Sequence, residues 1–129
     1  MTETIPEPWG YRANISPILT DGWEMGAWDG DSVWLHIDLG FMGYTYRKCR
    51  VLGINCPEMK TDTYDAGKLA RDQTRAWLAK AVIGQGRWPL RIRSYEADNF
   101  GRWLADIWRV VDNQRLTDYL LSLGYPEYQ

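Results

Sequence analysis

Between residues 32 and 39 the chain alternates: Val33, Leu35, Ile37 and Leu39 interleave with Trp34, His36 and Asp38. Strand side chains point to opposite faces with a period of two, so the run predicts a half-buried strand. Gly40 and Gly43 flank the following turn, and residues 44–54 return as a further strand stopped by Pro57. An earlier strand is predicted over 11–18, with Pro17 ending it or holding it at an edge. The glycine-containing connection at 20–26 leaves the first hairpin undefined.

The periodicity changes after residue 64. Leu69, Gln73, Ala76, Trp77 and Lys80 form one stripe of a helix over 65–83, with Asp62 or Thr63 as its cap and Gly84 and Gly86 as its stop. Trp88, Leu90 and Ile92 alternate with Arg91 and Arg93 in a fourth strand, 98–101 is turn chemistry, and 102–111 is a fifth strand. Asp112 and Asn113 turn the chain into a short helix over 116–123, closed by Gly124. Five strands with the main helix between the third and fourth follow the order of an OB-fold barrel. The expected class is therefore α+β, mainly β, with a short C-terminal helix.

A length of 129 residues fits one domain, 1–129, around one modest core. Eight tryptophans and eight tyrosines stand against two phenylalanines. In a small barrel most of them are expected to be core or rim packing. The net charge of −2 excludes a generally basic nucleic-acid binder, yet the charge is uneven. Residues 1–46 carry one Lys/Arg against seven Asp/Glu, whereas 47–109 carry thirteen against seven. The middle segment is compatible with a phosphate-attracting face. Lys68, Arg71, Arg75 and Lys80 are read as an ordinary solvated helix face.

The first nine residues are acidic and proline-broken, so no signal peptide or membrane span is expected and a cytoplasmic setting follows. Cys49 and Cys56 lie along one predicted strand and its exit, roughly 20 Å apart if extended, so free thiols are expected. His36, the sole histidine, falls on the outward side of its strand.

Three segments carry candidate chemistry: Asp29-Gly30-Asp31, Arg50 to Glu58, and Phe100-Gly101-Arg102. Phosphodiester hydrolysis gathers negative charge on phosphoryl oxygens while a water is aimed in line with the leaving oxygen. Arg50 and Arg102 offer planar cationic forks to those oxygens, and Glu58 can accept the proton of the water. Asp31, the Asn55 side-chain oxygen and the Cys56 backbone carbonyl form an all-oxygen set that suits Ca²⁺ over Zn²⁺, with another divalent ion as the alternative. Arg50 also has a purely structural reading, as a buried arginine paired with Asp29 or Asp31. Asp29 itself is expected to hold its turn through local backbone hydrogen bonds.

These motifs resemble the thermonuclease (staphylococcal nuclease) family. That family shows an Asp-Gly-Asp-Thr/Ser-Val turn, an Arg-x-Leu-x-Ile-Asp-x-Pro-Glu strand and loop, and a Tyr/Phe-Gly-Arg hairpin. The corresponding segments here are 29–33, 50–58 and 100–102, and the likeness runs over about 27–124. Three ordered motifs are more specific than any one of them. The resemblance implies an OB-fold endonuclease using Ca²⁺ to cleave DNA, with RNA as a second substrate. It further implies Arg50 and Arg102 as phosphate-binding residues, Glu58 as general base, Asp31, Asn55 and the Cys56 carbonyl as metal ligands, and Phe100 as a substrate-stacking residue.

Two departures stand out. Asn55 replaces a second metal-binding aspartate and brings no negative charge, and no later helix with tail tyrosines follows, so Tyr125 and Tyr128 receive no role. The chain looks most like the short phage and bacterial members. The expected function is a metal-dependent nuclease with no obligate protein partner. The alternatives are a catalytically weak OB module that binds single-stranded nucleic acid, or a phage structural protein.

Overall fold

The computed structural model describes residues 10–18, 21–83, 86–97 and 102–128. Its strands are β1 (Tyr11–Ile15), β2 (Ala27–Asp29), β3 (Ser32–Gly40), β4 (Gly43–Val51), β5 (Leu90–Ala97), β6 (Trp103–Arg109) and β7 (Gln114–Arg115). The helices are α1 (Tyr64–Val82) and α2 (Leu116–Ser122). Strands run in the order β1-β5-β6-β4-β3, and a β1–β3 pairing closes the sheet on itself. β4 and β6 run parallel, and the other pairs around the barrel are antiparallel. β2 extends the sheet beyond β3, and β7 pairs with β6. This is a five-stranded mixed barrel of OB type, mainly β, with α1 between the third and fourth barrel strands.

The alternation of β3 sets the inside and outside of the barrel. Val33, Leu35 and Ile37 are buried with Cys49 and Val51 of β4, Leu90 and Ile92 of β5, and Ala105 and Ile107 of β6. Trp34 and His36 face outward and are half-buried. Fully burying each such Leu, Ile or Val stabilises the fold by roughly 1.5–3 kcal/mol before entropy is counted. The β3–β4 turn is tight: Gly40 pairs with Gly43 around Phe41 and Met42, which have φ of 53° and 62°.

The buried stripe of α1 differs from the apolar one read in the sequence. Gly67, Ala70, Thr74, Trp77, Leu78 and Ala81 face the barrel, while Leu69 is 57% exposed. Small residues occupy positions 67, 70 and 74 because the helix lies close to backbone there: a Cβ on Gly67 would meet the main chain of Glu58, and Thr74 Oγ1 donates to the Gly30 carbonyl at 2.7 Å. Thr63 does not cap the helix with its side chain but donates its hydroxyl to the Glu58 carbonyl at 2.7 Å. No described helix is long and apolar enough to cross a membrane.

The tryptophans divide between the core and the surface. Trp77 and Trp108 are buried, Trp23, Trp28, Trp34 and Trp88 are half-buried or exposed, and Trp103, also exposed, lies at the open end of the barrel beside Ile37, Ile92 and Ala105. The barrel interior is lined mainly by aliphatic side chains, with the Trp103 ring at its open end.

Cys49 and Cys56 are both free and buried, and burial pushes each thiol up to about 12. The native protein should therefore react slowly with a thiol reagent at neutral pH, and two thiols should titrate after denaturation without reductant. A mass two units below the reduced value would instead reveal a bridge.

Candidate functional site

The loop leaving β4 is held on three sides. Thr117 Oγ1 donates to the Leu52 carbonyl at 2.6 Å. The last described segment runs back along the loop: Asn55 N–H donates to the Pro126 carbonyl at 3.0 Å and Tyr128 N–H to the Gly53 carbonyl at 3.2 Å. Gly67 of α1 lies against the Glu58 main chain from the third side. On the facing turn Asp29 Oδ1 accepts the Asp31 N–H at 3.2 Å, the local role expected of it. Gly30 has no room for a side chain: a Cβ there would lie 2.8 Å from Ala70 Cβ and from Cys56 Cβ and Sγ.

Turn and loop meet at Arg50. Its guanidinium is buried, and Nη2 lies 3.4 Å from both Asp31 Oδ2 and Asn55 Oδ1. Asp31 Oδ2 also accepts the Cys56 N–H at 2.9 Å. Ser32 stands directly opposite Arg50 across the β3–β4 ladder, and Arg102 Nη1 donates to Ser32 Oγ at 2.7 Å. Asp31, Arg50, Asn55, Cys56 and Arg102 thus share one rim of the barrel, as the strand order predicts. Of the two structural partners considered for Arg50, the ion pair goes to Asp31.

Glu58 is placed differently from expectation. Its exposed carboxylate pairs with Lys60 at 3.1 Å rather than contacting Arg50, Asp31 or Asn55. The reason is local: the Glu58 main chain is held by Thr63 and α1, and its side chain projects into solvent where Lys60 is the near cation. Phe100 lies outside the described residues.

Two neighbours were not anticipated. Tyr128 lies under the arginine, with Arg50 Cζ 4.2 Å from its ring centroid. Ser32 accepts from Arg102, and its position opposite Arg50 follows from the hairpin register, whereas no local signal marks Tyr128. Beside Ser32 and Arg102 is a cavity of about 320 Å³ whose other walls are Trp23 and Trp28. A separate cavity of about 210 Å³ opens among Tyr11, Ile37, Ile92 and Trp103; its lining includes Arg47 but no carboxylate.

No family model matches the chain, and no curated protein does.

The electrostatics of the rim bear on metal binding. Burial, and then the Asp29 carboxylate beside it, pushes the Asp31 carboxyl up to about 7, against the pull of Arg50 and the Cys56 N–H. Asp31 thus lies between a neighbouring carboxylate and one guanidinium, and a proton on Asp31 relieves the repulsion between the two carboxyls. The described residues gather no group of three or more His, Cys, Asp and Glu. A cation here would lean on Asp31, the Asn55 amide oxygen, backbone carbonyls and water. Such a set is oxygen-only, the donor chemistry of hard divalent ions, although Asp31 Oδ2 and Asn55 Oδ1 both face Arg50 Nη2 here.

Proposed function

We propose that the protein is a metal-dependent nuclease of the thermonuclease type, hydrolysing phosphodiester bonds in DNA and, as a second substrate, RNA. The observation that carries this reading is the meeting of Arg50, Asp31 and Asn55 on one nitrogen, with Arg102 one serine away. Two guanidiniums at one rim can hold two phosphoryl oxygens, and the charge that grows on those oxygens in the transition state strengthens the contacts. Tyr128 stacked on Arg50 keeps the fork in one plane. Asp31 and Asn55, with the Cys56 carbonyl, would hold Ca²⁺, which would supply Lewis-acid polarisation of a phosphoryl oxygen. Glu58 is exposed, so its carboxylate can leave Lys60 and turn toward a water when substrate arrives.

The primary test is digestion of labelled single- and double-stranded DNA with added Ca²⁺ and again with EDTA. Cleavage that EDTA abolishes supports the reading, and no cleavage under either condition overturns it. A second reading, a module that binds single-stranded nucleic acid without turnover, is favoured by the pairing of Glu58 with Lys60. Binding of the same DNA without cleavage would select it.

The metal set has its own test. Asn55→Asp adds a negative charge beside Asp31, so calorimetric titration should show tighter Ca²⁺ binding, by about tenfold, and activity should rise at limiting Ca²⁺. Equal affinities in parent and variant would remove Asn55 from the ligand set.

A further inference from the structure

We propose that the outer face of the β3–β4 hairpin, together with Trp23 and Trp28, is a stacking track for a single nucleic-acid strand leading away from Arg102. This deepens the nuclease reading by naming where its substrate extends, and it rests on that reading for its direction.

Cross-strand pairs on the outside of the hairpin follow one another as Ser32/Arg50, Trp34/Lys48, His36/Tyr46 and Asp38/Tyr44. Successive pairs are two residues apart, about 6.8 Å along a strand, roughly twice the rise of a stacked nucleic-acid strand. Each step therefore suits a base lifted off its neighbour. The rings form connected platforms: Trp23 lies 5.7 Å from Trp28 and 5.8 Å from Trp34, and His36 stacks on Tyr46 at 4.7 Å. Cations interleave with them, as a polyanion with aromatic bases requires. Lys48 Nζ sits 5.0 and 4.7 Å from the rings of Trp23 and Trp34, and Arg87 lies over Tyr44 and Trp88.

The track joins the candidate site at the cavity between Trp23, Trp28, Ser32 and Arg102. Trp28 is 45% exposed there, so its indole is available to a base while Arg102 is placed for the adjoining phosphate. The helices leave this face uncovered, since α1 packs on β2 and α2 on β6. The Trp23–Trp28 segment is held in advance of any ligand. Arg75 of α1 donates to the Ala27 carbonyl through Nε at 3.1 Å and Nη2 at 2.9 Å, to the Gly22 carbonyl at 3.1 Å, and to Glu24 at 3.1 Å. That arginine, read from sequence as a solvated helix charge, is a positioning residue for the platform. In an OB barrel the second and third strands are also where oligonucleotides lie in general.

The test is fluorescence anisotropy with labelled twelve-residue oligothymidylate, oligouridylate and a DNA duplex, all in EDTA so that hydrolysis cannot contribute. Both single strands should bind more tightly than the duplex. Trp28→Ala should weaken single-strand binding about tenfold or more while Trp28→Phe retains most of it. Lys48→Ala should weaken binding and reduce the slope of log affinity against log salt by about 0.7. Parent-like affinity in both Trp28→Ala and Lys48→Ala, or preference for duplex, would overturn the track even if the protein cleaves DNA. Single-strand binding with these losses but no cleavage would keep the track and remove the nuclease reading. Should Trp28→Ala fail to fold, Lys48→Ala alone decides.

Discussion

Arg102→Ala is expected to lower phosphodiester hydrolysis by about 10²–10³-fold, because it removes a charged donor from oxygens whose charge grows in the transition state. Arg50→Ala should lose at least as much, and Glu58→Gln a comparable amount through loss of the base. The two arginines will differ in stability. Arg102 reaches Ser32 at a half-exposed position, so its removal should leave the thermal midpoint nearly unchanged. Arg50 is buried against Asp31, and breaking a buried pair costs about 3–5 kcal/mol when it strands a charge.

Here that loss depends on pH. The Asp31 carboxyl is already raised to about 7 in the native protein, against 3.8 as its ordinary value, so it can take a proton when Arg50 is gone. A raised native value means that the stability linked to Asp31 is fully present below 3.8 and is lost as pH rises through about 7. Arg50→Ala should therefore be destabilised far more at pH 8 than at pH 5, as read by thermal melts at each pH. A deficit that does not change with pH would mean that Asp31 is not the partner that matters. Hydrolysis by all three variants at the parental rate would refute the proposed mechanism.

Gly67→Ala is the second large effect expected. An alanine inside a helix normally gains about 1 kcal/mol over glycine. At this position its Cβ would press on the Glu58 carbonyl, with the Glu58 carbonyl carbon at 2.8 Å and Met59 N at 3.1 Å. Those atoms are backbone and cannot rotate away, so the loop or the helix must move. Overpacking of this kind costs about 1–3 kcal/mol, which matches or exceeds the propensity gain. The larger consequence is for Glu58, whose main chain would shift relative to Arg50. A misplacement of about 1 Å can cost on the order of 10²-fold in rate, so activity should fall much more than the melting temperature. A variant with parental activity and a higher melting temperature would mean that the helix and the Glu58 loop are not in close register.

Elements set by short-range periodicity were legible without coordinates. The β3–β4 hairpin, α1 to within a residue at each end, and the local turn at Asp29 follow from alternation, helical spacing and side-chain-to-backbone hydrogen bonds within a few residues. That Arg50 meets the 29–31 turn was legible too, with Asp29 and Asp31 both open as its partner; the register that sets Ser32 opposite Arg50 goes with the pairing to Asp31. Barrel closure decided the rest. Hydrophobicity favoured Leu69 for the inner face of α1, but Leu69 is exposed, and the first turns of the helix approach Gly30 and Glu58 so closely that small residues stand at 67, 70 and 74. Arg75 grips carbonyls 48 and 53 residues away, Tyr128 reaches Arg50 from the far end of the chain, and Glu58 turns to Lys60 because its main chain is clamped elsewhere. A sequence window carries propensity and period, whereas a contact between distant segments depends on how several elements stack at once, and that is settled by packing in three dimensions.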